Sequence, residues 1–364
     1  MARPLDLLPK AHLHLHFTGA MRRGTLIELA AEHGISLPEA FVTGWPPRLH
    51  ATDERGWFRF QRLYDSARAV LRTEADLRRL IGEMAADDRA EGSHWLEFQV
   101  DPSGYAAQFG GLRSFTELVL DAAARAAADA GIGIGVIIAA NRTRHPLDAR
   151  ILARLAAAYA GRGVVGFGLS NDERRGVPAE FARAFAIAAR AGLISVPHGG
   201  ELLDGRSVRA CLDHLHADRI GHGVAAAADS ALTDRLAELG TTLEVCPSSN
   251  VALGVARSPA SVPLVPLLRA GVRVALGADD PLLFGSRLTA QYELARTLHG
   301  LTDARLAELA RMSVLGSTAP AAVRAKMLAD IDDWLAAPDP AGAAPGGRGQ
   351  GLSPSASPRP APAR

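Results

Sequence analysis

The 364-residue chain reads as an α/β protein folded into one (β/α)8 barrel. Three observations predict this. Eight short, largely apolar segments recur at strand length, stretches with apolar residues at helical spacing separate most of them, and several end in histidines or carboxylates. Strands so apolar need burial on both faces, which a parallel sheet flanked by helices provides. An open doubly wound sheet is the rival, but it usually carries a glycine-rich phosphate turn after its first strand. Here that place holds histidines.

The first strand starts at Ala11 and runs to His14-Leu15-His16. A long stretch, about 21–92, follows with helical pattern over 25–33, 56–71 and 73–91, and reads as a helical insertion between strands one and two, over the barrel mouth. Its aromatics Trp57, Phe58, Phe60 and Tyr64 either pack the insertion onto the barrel or line a pocket. Strand two is expected at 95–100, three at 133–139, four at 164–169, five at 193–196, six at 219–221, seven at 242–245 and eight at 272–276. Segments 114–130, 151–160, 179–191 and 229–239, rich in Ala, Leu and Arg, supply helices between them. The barrel unit therefore spans 1–336. From 337 to 364 the chain turns to Pro, Ala, Gly and Ser, which cannot bury enough apolar surface to fold, so a disordered tail is expected.

Bulk composition excludes several classes. With 40 basic and 39 acidic residues the net charge is +1, so nothing steers the chain to nucleic acid or an anionic membrane, and a small molecule is the expected partner. Cys211 and Cys246 cannot build a disulfide framework and lack metal-site spacing. With no signal-peptide pattern and no apolar run of membrane length, a cytoplasmic location is expected. Oligomeric state is not legible.

The chemistry lies at the strand ends. His14 and His16 end strand one, His198-Gly199-Gly200-Glu201 follows strand five, Ile220-Gly221-His222-Gly223 ends strand six and Asp279-Asp280-Pro281 follows strand eight. Barrel sites form at the C-terminal ends of strands, so these segments converge. His14 and His16 alone could equally be a hydrogen-bonded pair in a polar rim, and His222 alone would be structural. Together, three imidazoles and a carboxylate suit zinc and leave room for a water, as catalytic sites do. Glu201 beside them is a proton carrier, with helix capping as its bland alternative. His222, between glycines, can orient and deprotonate water. Asp279 and Asp280 are adjacent, so one can face the metal while the other faces substrate.

These segments resemble the adenosine deaminase family of the amidohydrolase superfamily, whose pattern joins a first-strand His-x-His, a His-Ala-Gly-Glu, an x-Gly-His-Gly and an Asp-Asp-Pro. Pro9-Lys10, Glu244-Val245-Cys246-Pro247 and Asn250 extend the similarity over about 9–335. The resemblance implies a barrel, one zinc per chain, and hydrolytic removal of the 6-amino group of an adenine ring. It implies His14, His16, His198 and Asp279 as metal ligands. Glu201 then protonates N1, His222 positions the hydroxide, and Asp280 meets N7 and the water; His16, Thr18, Asn171 and Asp280 are the substrate contacts. Cys246-Pro247-Ser248-Ser249 does not match the Pro-Cys-x-x-Cys element of other zinc base deaminases.

Departures cluster on the sugar side. Thr18 stands where adenosine enzymes of the family carry an Asp that meets the ribose 5'-hydroxyl and adenine enzymes often a Glu; losing that charge-assisted bond costs about 1 kcal/mol or more. Asn171 replaces the usual Gly whose N–H faces N3, and Gln99 stands where Arg is common. Arg142 and Arg144 either face an acidic 5'-extension or are solvated loop residues. Adenosine or 2'-deoxyadenosine is the leading substrate expected, giving inosine or 2'-deoxyinosine and ammonia. A 5'-modified nucleoside such as aminodeoxyfutalosine and free adenine are the alternatives. A non-catalytic nucleoside-binding protein would lack a ligand or Glu201, and a metal phosphoesterase or lactonase would need a second metal or a bridging lysine. The only lysines are Lys10 and Lys326.

Overall fold

Strands β1 (Lys10–His12), β2 (Ser93–Val100), β3 (Gly133–Asn141), β4 (Val164–Ser170), β5 (Ile194–Gly199), β6 (Arg219–His222), β7 (Thr242–Val245) and β8 (Arg273–Leu276) stand side by side in chain order, each parallel to the next. They are drawn from a computed structural model that describes residues 2–337. Of the tail expected over 337–364, all but Ala337 lies outside the described residues. The expected (β/α)8 barrel is the fold observed. No helix among the described residues is long and apolar enough to cross a membrane.

Between β1 and β2 come α1 (Arg23–Glu32), α2 (Glu39–Val42), α3 (Glu54–Arg68) and α4 (Glu74–Ala90). Asp53 caps α3 by accepting from the Gly56 N–H, and Thr73 and Asp76 form a reciprocal capping box at the start of α4. Helix α4 packs against β2 and against α5 (Leu112–Ala130), the helix joining β2 to β3. It is thus the barrel's own first crossover helix; α1 is tied to it by Thr25–Glu83 and Glu28–Arg79, and α3 is the part of the segment that reaches the mouth. The remaining crossovers are α6 (Pro146–Ala158), α7 (Pro178–Arg190), α8 (Gly205–Leu215), α9 (Ser230–Leu239), and the short pair α10 (Pro247–Ala252) and α11 (Leu264–Arg269). After β8 the chain adds α12 (Pro281–Phe284), α13 (Leu288–Thr297), α14 (Asp303–Gly316) and α15 (Ala321–Ala336).

Strand β1 stops at His12, short of the expected end at His16, because the seam to β8 is not a regular ladder. It is stitched individually: His16 N–H donates to Asp279 O at 2.9 Å, Asp279 N–H to His14 O at 3.1 Å, and Ala278 N–H to the His12 ring at 3.1 Å. Deeper in the barrel a buried ionic chain spans the interior. Arg219 of β6 lies 2.5 Å from Glu97 of β2 and 2.7 Å from Glu244 of β7, and Glu97 also accepts from Trp95 and Thr318. Two carboxylates flank one guanidinium, so no buried charge of the chain lacks an opposite neighbour, which is what makes such burial tolerable.

Candidate active site

At the C-terminal mouth, His14, His16 and His198 bring ring nitrogens within 4.8 Å of one another, and His14, His222 and an Asp279 oxygen do the same. Asp279 sits between the rings. Its Oδ1 is 3.4 Å from His14 Nε2 and 3.2 Å from His16 Nε2, its Oδ2 3.9 Å from His222 Nε2, and Ser249 donates to Oδ2 at 2.5 Å. All four expected ligands thus meet in one place.

The donor set fits a metal cation. His14 Nε2 is buried with no hydrogen-bond partner, and His16 Nε2 and His198 Nε2 face each other at 3.3 Å, so three ring nitrogens converge with at most one N–H between the latter two to occupy them. His14 Nδ1 bonds Glu244 at 2.6 Å, which fixes the tautomer and turns Nε2 into the cluster, as a carboxylate behind a metal-bound histidine does. Burial alone would lower His14, yet Asp279 and Glu244 outweigh it and push it up to about 10. That field favours positive charge between the rings, which a divalent ion would supply. His12 is the contrast. Two residues before His14 and equally buried, it spends one ring nitrogen on Asp88 at 3.0 Å and the other on the Ala278 N–H, so it is a structural histidine.

Backbone strain concentrates here. Four non-glycine residues among the described ones have left-handed backbone, and three are His222 (φ 63°), Asp279 (φ 61°) and Asn171 (φ 80°). Such conformations cost roughly 1–3 kcal/mol each and persist at functional sites. Gly221 allows the close approach of strands: a Cβ there would lie 2.8 Å from His14 and 3.1 Å from His198.

Around the cluster the acids and bases separate. Burial, then the charges of Asp279 and Glu173, hold the Glu201 carboxyl well above the usual range. Burial and Asp279 do the same to Asp280, whose Oδ1 has no partner. Burial pushes His222 down to about 3, so the ring is neutral; its Nε2 lies 3.4 Å from Glu201, and Asn250 approaches its Nδ1 at 3.4 Å. Protonated carboxyls can donate and a neutral imidazole can accept, the division of labour that acid–base catalysis needs.

These groups face a cavity of about 350 Å³ whose wall includes His16, His198, Glu201, His222, Asp279 and Asp280. Trp57, Phe60 and Tyr64 of α3 cover it, whereas Phe58 points away and is exposed. Asn171 lines it too, but its side chain is engaged with Trp57 and Gln61 of α3, which pins that helix over the mouth. Gln99 lies in the wall with both amide atoms unpaired.

Thr18 sits one layer behind the cavity wall. It is fully buried in the short turn at residues 18–20, and its hydroxyl is 2.5 Å from that of Tyr105 and close to Tyr64, which does line the cavity. Arg142 is also buried and donates to the carbonyls of His198 (2.5 Å) and Glu173 (3.4 Å), while Arg144 does line the outer cavity. Sequence reasoning passed over Glu173 and Arg219, whose roles depend on partners far along the chain.

The family model described as adenosine deaminase matches residues 9–334. A Streptomyces virginiae protein named as an adenosine/adenine deaminase is 63% identical over 334 residues, covering 92% of this chain and 98% of its own length. Among solved structures, adenine deaminase from Arthrobacter aurescens matches with a TM-score of 0.83 at 29% identity, covering 90% of this chain and 99% of that one. An amidohydrolase from Burkholderia ambifaria with bound Zn matches with a TM-score of 0.81 at 25% identity, covering 91% and 93%.

Proposed function

The chain belongs to the adenosine deaminase family, hydrolases acting on C–N bonds of cyclic amidines, and we propose that it removes the 6-amino group from an adenine nucleoside, with adenosine and 2'-deoxyadenosine as leading substrates. The observation that carries this reading is the meeting of three imidazoles and Asp279 beside the raised carboxyl of Glu201 at one end of a deep cavity. In this proposal His14, His16, His198 and Asp279 hold one zinc per chain. The chemistry a bound zinc supplies is a water made nucleophilic at neutral pH.

The chain's own residues do the rest. Glu201, protonated, gives its proton to N1, which makes C6 electrophilic and avoids a full ring anion. Neutral His222 orients the attacking water and accepts from it. Asp280, also protonated, donates toward N7 and so holds the base in register. Trp57, Phe60 and Tyr64 exclude bulk water above the ring. The proton that His222 takes from the water then passes to the amino nitrogen, the C6–N bond breaks and ammonia leaves, and the proton of the new C6 hydroxyl restores Glu201 while N1 keeps the one it received.

The size of the cavity supports a nucleoside substrate. Ligand pockets run roughly 300–1,000 Å³, and this one, about 350 Å³, continues outward to Arg68, Asp101 and Arg144 beyond what an adenine ring fills. A second reading, a 5'-modified nucleoside such as aminodeoxyfutalosine, has its own support: Thr18 replaces a carboxylate by an uncharged, buried hydroxyl, and two arginines, Arg68 and Arg144, stand in the cavity wall. Free adenine is the third. A panel of adenosine, 2'-deoxyadenosine, 5'-substituted adenosines and adenine, followed by the ultraviolet change on deamination, separates them. Adenosine turned over far more slowly than a 5'-substituted analogue selects the second reading, and turnover of adenine alone overturns both nucleoside readings. Metal analysis should find one zinc per chain. Glu201→Gln should lower kcat by about 10³-fold or more with zinc retained; a fully active variant would sink the mechanism.

A further inference from the structure

Glu173 is the third residue of the Asn171-Asp172-Glu173 turn after β4, and its side chain is buried behind the wall of the cavity. Its carboxylate accepts from five donors. They are the backbone N–H groups of Gly200, Glu201 (2.9 Å), Leu202 (2.6 Å) and Leu203 (3.1 Å), and the Ser207 hydroxyl. A carboxylate offers about four lone-pair sites, so this one is saturated. Four consecutive N–H groups turned inward form a concave nest of the kind that binds anions, here filled from within the protein.

The turn so gripped carries Glu201. On its near side, Arg142 holds the carbonyl of His198 at 2.5 Å and that of Glu173 at 3.4 Å. On its far side, Gly199 O accepts from Gly223 and Gly200 O from Ala225, each at 3.0 Å, which ties the turn to the end of β6 beside His222. Gly200 itself has φ 69°, and a Cβ there would lie 2.4 Å from Val208. A connection from β5 to α8 needs none of this, since surface water satisfies the amides of an ordinary loop. Proton transfer does need it, because a misplacement of about 1 Å in a catalytic group can cost about 100-fold in rate.

Resting on the reading of Glu201 as the proton donor, we propose that Glu173 is a positioning residue for deamination: its carboxylate fixes the 200–203 turn so that the Glu201 side chain is presented to the substrate ring. It touches neither substrate nor metal. The expectation for Glu173→Gln, which sets an NH2 against the nest, is a fall in kcat of about 100-fold with KM within about threefold, unchanged zinc content, and faster amide hydrogen exchange confined to a peptide spanning residues 199–208. Zinc stays because Arg142 still holds His198. Glu173→Asp keeps the charge but withdraws it by one methylene, and should lose activity to a smaller extent; it carries the same comparison should the Gln variant not fold. The proposal is overturned if kcat stays within threefold of the native protein while exchange in the turn rises, or if activity, zinc and global thermal stability fall together. Glu201→Gln keeps the two readings apart. Activity surviving that change removes Glu201 as donor, whereas its loss combined with full activity of the Glu173 variants removes only the positioning role.

Discussion

Glu244 and Thr18 show how one side chain's partner decides its effect. Glu244 meets the ring of His14 from behind, so Glu244→Gln leaves every ligand in place but weakens the bond that aims His14. Zinc affinity, read by chelator competition, should fall about 10–100-fold, and an unchanged affinity would show that His14 is aimed by other contacts. Thr18 is buried and paired with Tyr105. Thr18→Val should therefore cost about 1–3 kcal/mol of stability, the penalty of a stranded buried hydroxyl, while kcat/KM for adenosine stays within about twofold. A rise in KM for nucleosides but not for adenine would return Thr18 to the sugar site. The strand-end chemistry of His14, His16, His198, Glu201, His222 and Asp279 was legible from the sequence because barrel geometry sends all strand ends to one mouth. Partners were not: Thr18 follows that motif by two residues, and nothing in the sequence says that its hydroxyl meets Tyr105. Nor were Glu173 and Arg219 legible, since their bonds span 28 and 122 residues and follow no period.

Among the elements, α3 and α4 divide the labour of the segment between β1 and β2. Helix α4 belongs to the barrel wall, and its N-terminus is clamped by Asp76, which accepts from Arg72 N–H (2.8 Å), Thr73 N–H (2.7 Å) and His33 (2.9 Å). Burial works against ionising Asp76, but these donors outweigh it and hold the carboxyl below the usual aspartate value. A folded-state value lower than the unfolded one means stability that is present above the unfolded value of 3.8 and is lost as pH falls through the folded one. Asp76→Asn should then cost about 1–2 kcal/mol at neutral pH, with the gap to the native protein closing below pH 4 in denaturant melts. A gap constant with pH would assign the effect to shape, not charge. Periodicity marked both helices in the sequence, but it could not say that α4 packs on α5 while α3 caps the mouth, because each has one apolar face and the identity of what covers it is a tertiary fact.

For the molecule as a whole, the chain Glu97–Arg219–Glu244 braces opposite walls of the barrel and ends on His14. Burial raises the Glu97 carboxyl, but Arg219 overcomes it and keeps the group ionised below its ordinary range. Removing the shared cation strands two buried charges, so Arg219→Met should destabilise by about 3–5 kcal/mol, and adding Glu97→Gln to it should recover part of the loss. Additive losses in that double variant would mean the three groups do not act as a unit.

The irregular seam between β1 and β8 has a consequence for how the protein comes into being. Its stitches, the main-chain bonds of His14 and His16 with Asp279, join the same residues whose side chains form the cluster. Closing the cylinder and gathering the cluster therefore rest on the same few residues, which stand some 265 positions apart in the chain. A polypeptide truncated before Asp279 would keep the imidazoles but lack the carboxylate that lies between them.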